Sequence, residues 1–151
     1  MVWVHVACSL LSYAAFLVAF ISGIFFLVQE RQLKRKTMGA LFHRLPSLEA
    51  LDRLNFQAIS FGFALLSFGL LFGFVEVRVA FGRWWMSDPK TYFGIIVWLS
   101  YLVLWMMRLR STLRGRRVAL LSILGFSLVL FTLLETSYIA QSAHPYYEAG
   151  S

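Results

Sequence analysis

A single cysteine, Cys8, stands in the whole chain. Without a second thiol there is no disulfide framework and no Cys-x-x-Cys redox pair, and the absence of Cys-x-x-Cys-His means the chain cannot itself carry haem in c-type linkage. No Ser-His-Asp set, phosphate-binding loop or metal-ligand cluster is spaced along the sequence, so hydrolysis and phosphoryl transfer lack the groups they need. Internal repeats, low-complexity tracts and a soluble domain are missing as well. Histidine is scarce: His5, His43 and His144 are all there are.

What the chain has in quantity is apolar length. Of its 151 residues, 60% are hydrophobic, and the mean hydropathy is +0.73. These residues fall in blocks over about 3–28, 56–80, 92–107 and 118–140, and about 20 residues of helix cross a bilayer. The third block is short and relies on flanking Trp, Tyr and Arg to reach the interfaces. Backbone polar groups in lipid must be satisfied within their own segment, so the blocks are expected to be helices. The predicted fold class is all-α, an integral membrane four-helix bundle forming a single domain over 1–151.

The net charge of +7 is unevenly placed. Segment 29–55 holds Arg31, Lys34, Arg35, Lys36, Arg44 and Arg53, and segment 108–117 holds Arg108, Arg110, Arg114, Arg116 and Arg117. The other side has only Arg78, Arg83 and Lys90. Eleven cations against three place both basic loops in the cytoplasm, and the N-terminus, the 81–91 loop and the C-terminus outside. Topology and anionic lipid at the cytoplasmic loops thus account for the charge, without nucleic acid. The first block is too long for a cleavable signal peptide and its basic cluster lies on the wrong side, so it reads as a retained span of a multi-pass protein in the cell (inner, cytoplasmic) membrane. Within "LPSLEALDRL", Pro46, Ser47 and Glu49 are helix-start signals, and leucines 48, 51 and 54 share one face suited to resting on the membrane surface. Gly69-x-x-x-Gly73 is a small-residue packing face. Glu76 and Glu135 lie near the outer ends of their spans, where Arg78 is a candidate partner for either.

One loop carries more than a connector needs. "FGRWWMSDPKTYFG" (81–94) sets two adjacent tryptophans beside charged residues at the outer interface. Tryptophan at this level reads first as a membrane anchor, and Asp88-Pro89 reads as an N-cap followed by Pro at the first helical position. With the topology above, His5 and His144 lie on the same side as this loop. Each alone reads as a residue at a wet interface; together they could supply both axial ligands of one haem b iron. Trp84 and Trp85 would offer the porphyrin a flat surface, with Arg83 and Lys90 near its propionates. His43, beside Arg44, reads as a solvated loop residue.

The line "FGRWWMSDPKTYFGIIVW" resembles the tryptophan-rich outer loop of the cytochrome c assembly family, the CcsA/HemX-like membrane proteins, approximately W-G-x-x-W-x-W-D-P-K-E-x-W with a further Trp in the next helix. Gly82, Trp85, Asp88, Pro89, Lys90 and Trp98 match it, whereas Phe81, Ser87 and Phe93 replace family tryptophans. "VHVACSLLSYAAFLVAFISGIFFLVQERQLKRK" is similar to the family's His-bearing helix and basic exit, and "RLRSTLRGRRVALLSILGF" to its following basic loop. Met106 stands where assembly members often carry an intramembrane histidine, and the resemblance is to the C-terminal four-helix part of a typical member.

The resemblance implies haem handling in cytochrome c biogenesis: His5 and His144 as outer ligands, and a loop that includes Asp88 presenting haem to apocytochrome c. It further implies another integral membrane subunit that supplies the missing spans. The chain would be at most part of a haem-attachment machinery. The alternative is an accessory subunit of a larger respiratory or redox membrane complex that kept the fold. That reading draws on the eroded tryptophans, the first on the histidine pair.

Overall fold

The computed structural model describes residues 2–37, 39–84, 89–110 and 115–143. They form five helices and, among the described residues, no strand: α1 Val2–Arg35, α2 Ala40–Arg44, α3 Leu48–Phe81, α4 Pro89–Leu109 and α5 Arg116–Ala143. Within them, Trp3–Arg35, Leu48–Phe81, Thr91–Leu109 and Arg116–Glu135 are long and apolar enough to cross a membrane. The protein is an all-α, multi-pass membrane protein.

The helix ends have local causes. α1 carries Lys34 and Arg35 in its last turn, where cations complement the helix dipole, and it stops at Lys36, whose φ of 54° is left-handed. Ser47 caps α3, its hydroxyl accepting from the Ala50 amide at 3.2 Å. At the other end Gly82 takes φ 66° and donates its amide to the Arg78 carbonyl, a turn that a residue without Cβ adopts at little cost.

The separate surface helix expected around "LPSLEALDRL" does not form. Those residues run without interruption into the next span, and α3 is one helix of 34 residues. No Gly or Pro interrupts the sequence between Leu48 and Phe61, and Leu51, 1% exposed, packs with Leu48 against Phe26 and Ala119. Two of the three leucines therefore face the bundle rather than a membrane surface. At about 51 Å, α3 and the equally long α1 exceed a hydrocarbon core of about 30 Å and project beyond it.

Contacts fix the order of neighbours. Gly73 lies against His5, Gly69 against Ser9 and Gly62 against Phe16, so α1 and α3 are antiparallel. Ala119 touches Gly23, and Gly115 touches Phe26, which makes α5 antiparallel to α1 on another side. Trp98 and Trp105 of α4 donate their indole N–H groups to Ser67 at 2.8 Å and Ser60 at 3.0 Å on α3. Phe63 stacks between the two indoles, 5.7 Å from each centroid. At the centre, Phe16 and Tyr101 stack with centroids 3.7 Å apart, surrounded by Ile59, Leu66, Val97, Val118 and Val129.

The α1–α3 seam is the closest. A Cβ at Gly62 would sit 2.6 Å from Phe16 Cε1, a distance real atoms do not tolerate. Small residues take this role in membrane helices because apolar burial gives no advantage over lipid and close van der Waals contact decides packing. The large apolar side chains Leu10, Phe61, Phe68, Leu71, Leu124 and Leu134 point outward, where lipid solvates them.

Candidate functional site: the His5 end of the bundle

Because consecutive spans alternate in direction, one end of the bundle gathers the start of α1, the end of α3, the start of α4 and the end of α5. His5 lies there, one turn into α1. Its Nδ1 is 2.6 Å from the Gly69 carbonyl oxygen of α3. A carbonyl can only accept, so Nδ1 carries the proton and donates. Gly73, one turn further along α3, leaves room for the ring: a Cβ there would come within 3.1 Å of His5 Cε1 and 3.2 Å of Nδ1. Ser9 closes the arrangement by donating its hydroxyl to the His5 carbonyl at 2.8 Å. The imidazole is half-buried, and Nε2 makes no hydrogen bond among the described residues.

Beyond Gly73, α3 continues for about 14 Å, at ~1.5 Å per residue, before the turn at Gly82. Arg78 organises that turn. Its guanidinium donates to the Gly82 carbonyl and lies over the Trp84 ring, 5.4 Å from the centroid. The partnership expected between Arg78 and Glu76 or Glu135 is not formed. The ion pairs among the described residues are Lys34–Glu30, Arg53–Glu49 and Arg108–Asp52. The left-handed residue at Gly82 folds the chain back under Arg78, so a carbonyl and an indole take the guanidinium before either glutamate can.

Trp84 is 65% exposed and Arg83 is exposed beside it. Lys90 falls in the first turn of α4, which starts at Pro89, as the Pro-at-first-position reading required. The structure therefore brings His5, Arg83, Trp84 and Lys90 to one end, but Trp84 stands well beyond the level of His5 along α3. Trp85, Asp88 and His144 lie outside the described residues; α5 is described to Ala143, the residue before His144. Met106 is 42% exposed on the outer surface of α4, a position that faces lipid rather than the bundle interior. His43 is exposed in α2.

No group of three or more His, Cys, Asp or Glu gathers among the described residues, and the imidazole they place at this end is that of His5. That donor fits a haem iron, which takes one axial ligand on each face. With Nδ1 occupied by a carbonyl, the nitrogen left for a metal is Nε2. The exposed indole of Trp84 and the cation of Arg83 suit a flat, apolar macrocycle carrying carboxylates.

The opposite end holds a polar cluster that the motif reading missed. Arg108 grips Asp52 with both guanidinium nitrogens, at 2.8 and 2.5 Å, and lies 5.3 Å from the centre of the Phe56 ring. The Gly115 amide approaches the same carboxylate at 3.4 Å. One turn deeper, Asn55 donates to the Ala19 carbonyl at 2.7 Å and to Ser122 Oγ at 3.1 Å. All four spans are tied together by these few groups. Their signal in the sequence was available: Asp52, Asn55, Ile59 and Gly62 recur at helical spacing on one face. The exposed cations surround this end, including Arg31, Lys34, Arg35, Arg44, Arg116 and Arg117.

Comparison with known proteins finds relatives named for cytochrome c biogenesis. A chain from Prochlorococcus marinus named "Cytochrome c biogenesis protein CcsA" is 29% identical, the match covering 94% of this chain and 52% of the relative. Its namesake from Guillardia theta is 30% identical over 94% and 52%. Another, from Prochlorococcus marinus strain MIT 9215, reaches 39% over 65% of this chain and 32% of the relative. The chain spans about half the length of the first two of these curated relatives. No solved structure matches it. The family described as "Cytochrome C assembly protein" matches residues 1–144. That match runs over nearly the whole chain, and the chain belongs to the cytochrome c assembly protein family.

Proposed function

We propose that this protein handles haem for cytochrome c biogenesis, presenting it at the outer face of the cell's inner (cytoplasmic) membrane. The observation that carries the reading is the convergence at one end of the bundle. His5, the Arg83–Trp84 turn, the start of α4 and the last described residue before His144 all belong to that end. The exposed basic residues crowd the other, which the positive-inside rule assigns to the cytoplasm and which suits anionic lipid headgroups.

In this reading His5 and His144 would hold the iron of haem b. Trp84 and Trp85 form the platform, Arg83 and Lys90 lie near the propionates, and Asp88 caps α4 so that the loop returns to the membrane at a fixed place. Arg78 covers one face of Trp84 and leaves the other for the macrocycle. When bound, haem supplies the group that apocytochrome c thiols attach to; this chain binds, orients and presents, and its single cysteine gives it no dithiol of its own. In this reading the chain works beside other integral membrane subunits and meets apocytochrome c at the outer face.

The test is an optical spectrum of the gently purified protein, oxidised and reduced, beside the His5→Ala/His144→Ala variant. The expected result is a low-spin b-type spectrum that collapses in the variant. A wild type that is free of haem yet co-purifies with a large complex refutes haem handling and makes the loop an anchor and packing surface.

A further inference from the structure

We propose that α3 positions the His5 imidazole through its backbone, with the Gly69 carbonyl fixing the tautomer and the missing Cβ of Gly73 fixing the ring plane. The proposal deepens the haem reading and rests on it. Gly69 and Gly73 are positioning residues here: neither is expected to touch iron.

The geometry is specific. A neutral imidazole in water exchanges its proton between two nitrogens and turns about its side-chain bonds. Here Nδ1 is 2.6 Å from an oxygen that has no hydrogen to give, so the proton stays on Nδ1 and the lone pair on Nε2. Gly73 lets α3 come close to the ring. An alanine Cβ would stand 3.1 Å from Cε1 and 3.2 Å from Nδ1, closer than ordinary van der Waals contact, so the ring would have to shift and its bond to Gly69 would lengthen. A helical carbonyl normally serves only its own helix. The Gly69 oxygen has a second lone pair for the imidazole, and only a seam this close lets α1 reach it. A hydrogen-bonded Nδ1–H also makes Nε2 a stronger donor, and loss of such a partner typically lowers metal affinity by about 10–100-fold. The Gly69-x-x-x-Gly73 pattern, which by itself signals helix packing, thus has a second use.

The experiment uses protein in lipid nanodiscs labelled with nitrogen-15 at histidine, with the His5 signals assigned by their loss in His5→Gln. The haem-free wild type should show one His5 tautomer, protonated at Nδ1. Gly73→Ala should mix the tautomers and weaken haem binding by about tenfold, with Gly73→Val further along the same course. Gly23→Ala is the packing control. Its Cβ would meet the Ala119 carbonyl at 3.2 Å, a similar crowding in the α1–α5 seam, and the His5 spectrum should not change. A wild-type His5 protonated on Nε2, or Gly73 variants that fold and leave its tautomer untouched, would overturn the positioning role. A wild type that shows the expected tautomer, answers to Gly73→Ala and yet takes up no added haem would overturn the haem reading instead, so the two failures are distinguishable.

Discussion

Replacing Asp52 with leucine should be among the most damaging single changes outside the His5 end. The carboxylate receives both nitrogens of Arg108 at 2.8 and 2.5 Å and lies 3.4 Å from the Gly115 amide. The side chains of Arg108 and Asp52 are only 10% and 23% exposed. Removing one member of a buried pair costs about 3–5 kcal/mol, chiefly because the other charge is stranded. Partial exposure of Asp52 places this site at the low end, about 3 kcal/mol, or roughly a 150-fold change in the folding equilibrium. Because the cost comes from the stranded guanidinium, removing Arg108 as well should restore part of the stability. The double variant Asp52→Leu/Arg108→Leu is expected to be more stable than Asp52→Leu alone by about 1 kcal/mol or more. Reversible unfolding in mixed micelles of all four proteins closes the cycle. Strictly additive effects, or an Asp52→Leu loss below about 0.5 kcal/mol, would show that the pair is a solvated surface contact and refute the reasoning.

Gly62→Ala should cost about 1–3 kcal/mol, because the new methyl would sit 2.6 Å from Phe16 Cε1. The displaced Phe16 should unstack from Tyr101, which near-ultraviolet circular dichroism would register; an unaltered spectrum with unaltered stability contradicts the seam. Topology is tested in a Cys8→Ser background by placing cysteine at Arg83 or at Thr37, both exposed, and adding an impermeant maleimide to intact cells. Label at 83 and not at 37 is expected, and the reverse pattern would invert the orientation assigned by the positive charges.

The loop at 81–94 and the histidine pair were conspicuous as sequence because they are rare residue types in an otherwise apolar chain. His5 was legible as a candidate, yet its orientation was not, since nothing local says that a carbonyl 64 residues away will accept its N–H. The same holds for Arg78. In sequence it stands two residues from Glu76, but the left-handed turn at Gly82 and an indole claimed it. "LPSLEALDRL" misled for the opposite reason. Its leucines carry the periodicity of a surface helix, and only packing on Phe26 and Ala119 shows that the face belongs to the interior.

By itself the sequence determined that this protein lives in a membrane as helices, how many cross it and which ends are basic. An apolar block that must satisfy its own backbone hydrogen bonds in hydrocarbon does so as a helix, and hydropathy needs no partner to be read. The tertiary structure alone decided which faces meet and what the polar groups do there. In lipid, apolar residues have no preference between neighbour and solvent, so the pairing of helices falls to a few glycines and buried polar contacts. Gly62, Gly69 and Gly73 draw α1 onto α3, and Asp52 with Arg108 and Asn55 with Ser122 bind the other helices to them. Those choices join residues far apart in the chain, and only their meeting turns an interfacial histidine into an oriented one.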